Sequence, residues 1–147
     1  MYILIVEDDP LQATLMIESL REDSSLSKAK IERISTESQF RERFEEIANN
    51  PPDVITLDIM LRWADPSPDM KPRPEDVKEE GIFKAGLRCE KLLADNIKTQ
   101  HIPVILYTIL SKEDLGKELP ERENIVHLPK KSDLGPLIRA IRDLKKR

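Results

Sequence analysis

The chain has 147 residues, enough for one domain with a substantial core, and 35% of them are charged, as suits a heavily solvated surface. The net charge of −4 argues against a sequence-independent nucleic-acid binder, which needs a basic footprint. A single cysteine, Cys89, excludes an intrachain disulfide, and no apolar run approaches the roughly 18–20 residues that a bilayer-spanning helix needs. Met1 runs almost directly into a strand pattern, so no signal peptide and a cytoplasmic location are expected.

Five short apolar runs alternate with segments of helical period. Tyr2–Val6 reads as the first strand, and Asp9-Pro10 opens a helix, with Asp9 as cap, Pro10 in the first turn, and Leu11, Leu15, Met16 and Leu20 as the apolar face. Ala29–Ser35 is a weaker, alternating edge strand. Thr36 and Gln39 carry the capping-box spacing for a second helix, whose face is Phe40, Phe44, Ile47 and Ala48 and which Pro51-Pro52 stops. Val54–Leu57 is the third strand. A long polar segment follows, and then Ile82–Ile97 reads as a helix in which Cys89 is a packed thiol. Pro103–Thr108 is the fourth strand. Ser111–Leu119 is a short helix weakened by Gly116 and ended by Pro120, and Ile125–Leu128 is the fifth strand. Leu134, Leu137, Ile138, Ile141 and Leu144 mark a last amphipathic helix, whose terminal Lys-Lys-Arg complements its dipole.

Strict β/α alternation implies a parallel sheet covered on both faces, and right-handed crossovers leave few topologies. The expectation is a single α/β domain over residues 1–147, a doubly wound five-stranded sheet of order 2-1-3-4-5 with five helices. In such a sheet the carboxyl ends of the strands share one edge, where ligands bind. That edge would gather Glu7, Asp8 and Asp9 from the first strand, Asp58 from the third, Thr108 from the fourth and Lys130 from just beyond the fifth. Converging carboxylates repel unless a cation sits among them, and Mg²⁺ takes oxygen ligands of this kind. A lysine and a threonine hydroxyl suit phosphate oxygens, and an aspartate so placed can act as a nucleophile. Asp9 is explained by its capping role alone.

The segments "ILIVEDDP", "VITLDIM", "VILYT" and "LPKKSDLGPLIRAI" together resemble the receiver domain of bacterial two-component response regulators, the flavodoxin-like or CheY-like fold, over nearly the whole chain. The resemblance implies a phospho-acceptor at Asp58, an acidic pair at Glu7 and Asp8 for Mg²⁺, the Met60 backbone carbonyl as a further ligand, a switch hydroxyl at Thr108 and a phosphoryl-pairing lysine at Lys130. It also implies a sensor histidine kinase or phosphotransfer protein as partner, no enzymatic role beyond self-phosphorylation and dephosphorylation, and output through protein–protein contact or a phosphorelay. No output domain is expected after residue 147, no nucleic-acid or membrane partner is expected, and homodimerisation stays open.

Several positions depart from the family pattern. His127 stands at the switch position usually held by an aromatic residue, Ile109 is bulky where a small residue usually follows the threonine, and Lys131 replaces the usual proline, so that the Lys130–Lys131 bond is expected to be trans. A family glycine is matched by Gly86, which leaves an inserted Pro-rich loop at about 61–81 with Pro66, Pro68, Pro72 and Pro74. Trp63, five positions after Asp58, is expected to anchor that loop beside the site and to shape partner access. Two other readings stay open: a receiver-fold interaction module that does not use phosphorylation, and a metal-dependent nuclease or phosphoesterase.

Overall fold

The computed structural model describes residues 1–146. Strands β1 (Tyr2–Val6), β2 (Lys30–Ile34), β3 (Val54–Leu57), β4 (Val104–Thr108) and β5 (Ile125–Pro129) form one all-parallel sheet of order β2-β1-β3-β4-β5. The period-2 geometry of a strand sends successive side chains to opposite faces, and the central strands show it. Leu4, Val6, Ile55, Leu57, Val104 and Leu106 belong to one buried cluster, Ile3, Ile5, Val54, Ile105 and Tyr107 to the other. The edge strand β2 has one fully buried residue, Ile34, which accounts for its weaker apolar pattern.

The helices number seven among the described residues, against the five expected. Helices α1 (Pro10–Glu22) and α7 (Gly135–Lys145) cover the second cluster; α2 (Glu37–Glu42), α3 (Phe44–Asn49) and α5 (Ala85–Ala94) cover the first. Helix α4 (Glu75–Glu80) lies inside the insertion, and α6 (Lys112–Leu115) is a single turn continued by a 3-10 turn at Gly116–Glu118. The second expected helix is divided into α2 and α3 at Arg43, whose backbone sits at φ −91°, ψ 2°. The division is a local bend, because the bonds from Arg43 N to Gln39 O (3.0 Å) and from Ile47 N to Arg43 O (2.9 Å) meet at that residue. The expected helix from Ile82 starts as a 3-10 turn and ends at Ala94, short of Ile97.

Asp9 caps α1 by accepting from Leu11 N at 2.9 Å, and Thr36 caps α2 by accepting from Gln39 N at 3.2 Å. The reciprocal arm of the α2 capping box goes one residue further back, since Gln39 Oε1 accepts from Ser35 N at 2.8 Å. Gly86 has a steric reason: a Cβ there would overlap the Asp58 carbonyl and the Ile59 Cα, while its amide donates to Ile59 O at 2.8 Å. Helix α5 is thereby seated directly on the backbone that follows Asp58.

The segment over 61–81 is structured. Trp63 is 7% exposed, its Nε1 donates to Lys71 O at 3.0 Å, and Arg41 lies over its ring at 5.5 Å. Glu37, fully buried, holds Arg88 at 2.6 Å and Arg41 at 2.9 Å; Arg41 continues to Asp76 at 3.1 Å, and Arg88 to Glu80 and the Gly81 carbonyl. Val77 of α4 is buried beside this network. A buried carboxylate is costly unless charge-paired and hydrogen-bonded, and Glu37 receives both from α2 and α5.

Candidate functional site

At the carboxyl edge the strand ends converge as the topology requires. Glu7 (2% exposed) and Asp58 (6%) are buried, Asp8 is partly exposed, and one carboxylate oxygen from each lies within 4.8 Å of the others. Continued sheet hydrogen bonds, Asp58 N to Val6 O (3.1 Å) and Glu7 N to Ile34 O (3.0 Å), hold the acidic residues in register at the strand ends. Lys130 reaches in from beyond β5, with Nζ 2.7 Å from Asp58 Oδ2 and also paired to Glu7. Its amide donates to Thr108 O at 2.8 Å, so the turn after β5 is tied to the end of β4.

The electrostatics follow from burial. Desolvation first, and the Asp58 charge second, push the Glu7 carboxyl up to about 7 against the pull of Lys130. Burial opposes the Lys130 charge, but Asp58 and Glu7 outweigh it and raise the ammonium above its ordinary value. A cluster of three carboxylates offering hard oxygen donors, with its most buried member made reluctant to ionise by burial and then by the Asp58 charge, fits a divalent cation. Among the residues that would hold it are Glu7, Asp8 and Asp58; Met60 lines the same pocket and donates its amide to Asp58 Oδ1 at 3.3 Å.

Thr108 is fully buried at the end of β4, and its hydroxyl accepts from Leu110 N at 3.3 Å. Ile109 turns outward at the rim of the pocket. His127 is partly buried, and its Nε2 is 2.8 Å from the Leu110 carbonyl, so this side chain contacts the loop after Thr108. The Lys130–Lys131 bond is trans. Trp63 is buried, placed to anchor the insertion, and does not line the pocket.

Three contributors were not singled out in the sequence. Arg62 contacts Asp8 through its amide (3.1 Å) and its guanidinium. Ile82 and Phe83, just after the polar segment 61–81, supply exposed apolar side chains to the pocket lining, which also includes Gln12 and Ser132. The only available signal was position: Arg62 lies four residues after Asp58, and the two apolar residues follow an otherwise polar run. The cavity that Ile82 and Phe83 border has a volume of about 620 Å³. A groove of about 680 Å³ between α5 and the segment after α6 has mixed charges already paired across it, Lys84 to Glu118 at 2.8 Å among them.

No protein-family profile matches the chain, and no curated protein sequence does. Solved structures match across nearly its whole length. The phosphorylated cyanobacterial phytochrome response regulator RcpA is 18% identical, with 99% of this chain and 91% of that one covered and a TM-score of 0.65. The Mn²⁺-bound response regulator Rcp1 is 20% identical, with coverages of 99% and 91% and a TM-score of 0.63. The signal receiver domain of a signal transduction histidine kinase from Syntrophus aciditrophicus is 25% identical, with coverages of 99% and 89% and a TM-score of 0.67. The chain has the receiver-domain fold.

Proposed function

We propose that this protein is a Mg²⁺-dependent phospho-acceptor module of a two-component system, charged on Asp58 by a histidine kinase or phosphotransfer protein. The observation that carries the reading is the buried Asp58 carboxylate, 2.7 Å from Lys130 Nζ and within 4.8 Å of two further carboxylates. An Asp58 oxygen forms the new bond to phosphorus while the bond from phosphorus to the donor's leaving atom breaks, the electron pair leaving with the donor. A divalent ion held by Glu7, Asp8, Asp58 and the Met60 carbonyl would neutralise charge on the transferring oxygens. Lys130, already on Asp58, passes to a phosphoryl oxygen, and Thr108 exchanges its bond to Leu110 for another. The module is regulatory, with no turnover beyond its own phosphorylation and loss of phosphate, and signals by protein contact in the cytoplasm. No helix among the described residues is long and apolar enough to cross a membrane.

Acetyl phosphate with Mg²⁺ should add one phosphate mass to the intact protein, and Asp58→Asn should abolish the addition. A wild-type mass that stays unchanged with the protein folded would overturn the reading. It would favour instead an interaction module that does not use phosphorylation, a reading supported by the carboxylates being already matched by Lys130 and Arg62.

A further inference from the structure

The inference rests on the divalent-metal reading of the site. One residue holds Asp8 twice: the Arg62 amide donates to Oδ2 at 3.1 Å, and Arg62 Nε lies 3.6 Å from the same oxygen. The guanidinium also donates to the Asp8 carbonyl at 3.2 Å. The backbone that presents Arg62 is fixed on both sides. Leu61 and Trp63 are buried, the Arg62 carbonyl accepts from Glu37 N at 3.0 Å, and the Trp63 carbonyl accepts from Ser38 N at 2.8 Å. The segment after Asp58 is thus stitched to the start of α2, and Arg62 is delivered to Asp8 by that stitching.

We propose that Arg62 is a resident competitor for the metal, which occupies the Asp8 carboxylate in the metal-free protein and lowers its affinity for Mg²⁺. The three carboxylates face two cationic side chains, Lys130 and Arg62. An arriving dication meets less uncompensated negative charge while Arg62 is present than when it is not. The ion must also draw Asp8 away from a partner already in hand. The amide contact survives any substitution except proline, so the side chain alone can be tested. Because the guanidinium is 47% exposed, solvent and salt screen its charge and keep the effect modest.

The test is a titration with MgCl₂ alone at constant ionic strength, by calorimetry and by the emission of Trp63, in wild type, Arg62→Gln and Arg62→Glu. Thermal melting of each variant establishes that it is folded. Arg62→Gln should bind roughly threefold tighter, and Arg62→Glu tighter again. Affinities equal to or weaker than wild type in both folded variants would overturn the proposal while leaving the metal site standing. Failure of all three proteins to bind Mg²⁺ would remove the metal reading and this inference with it.

Discussion

Glu32 shows how one side chain can set the acid limit of an edge. It accepts from the Tyr2 hydroxyl at 2.8 Å and from Arg43 at 2.7 Å, and pairs with Lys30 at 3.0 Å, tying β2 to β1 and to the bend between α2 and α3. The bond from Arg43 leads the effects that lower its carboxyl from 4.5 to about 2, while burial first, then the hydrogen bond to Glu32, raises the Tyr2 phenol to about 12. A carboxyl depressed on folding contributes its stability in full above the unfolded value, and the contribution is lost as pH falls through the folded one. Glu32→Gln should therefore melt a few degrees below wild type at neutral pH, where the exposed network contributes modestly, and the gap should close between about pH 4.5 and 2. A gap constant across that range, measured by thermal melting, would show that the carboxylate charge is not what binds the edge.

The segment over 61–81 is an element with its own attachment. Trp63, Val77 and the ion pairs from Arg41 and Arg88 join α4 and its flanking chain to α2 and α5. Arg88 keeps Glu37 even without the insertion, so the buried pair survives its removal. Replacing residues 65–80 by a short linker should leave the far-ultraviolet dichroism of the sheet and its main helices in place. It should also move Trp63 emission to longer wavelength, because the Lys71 carbonyl that accepts from the indole is gone. Unchanged emission would mean that Trp63 is covered by the body of the domain alone. The prolines of this segment read correctly as chain that cannot extend the sheet. Its single helix did not stand out, since Val77 is its one buried residue and six residues carry too little periodicity to register.

For the molecule as a whole, the parallel order brings three carboxylates to one edge. Glu7, Asp8 and Asp58 meet there because two neighbouring strands, β1 and β3, end in register. A ligand that binds only the folded state stabilises it by mass action, so Mg²⁺ at ten times its dissociation constant should contribute about 1.4 kcal/mol. Thermal melting should show Tm rising with Mg²⁺ in wild type and unmoved in Asp8→Asn. A rise of equal size in the variant would place the ion elsewhere.

The sequence alone determined the sheet, its order and the residues that end β1, β3 and β4. Apolar runs and their spacing are local properties, and the handedness of β/α crossovers turns them into a topology with few alternatives. Glu7, Asp8, Asp58, Thr108 and Lys130 were legible because each stands at a strand end, where position along the chain dictates position in space. Gly86 could be matched, but its reason, the overlap of any Cβ with the Asp58 carbonyl, is a distance between chain segments. The division at Arg43, the burial of Glu37 between Arg41 and Arg88, and the hold of Arg62 on Asp8 were decided only by the tertiary structure. The last two join side chains from separate elements, and a charged residue in a sequence carries no mark of which opposite charge will meet it once the chain is packed.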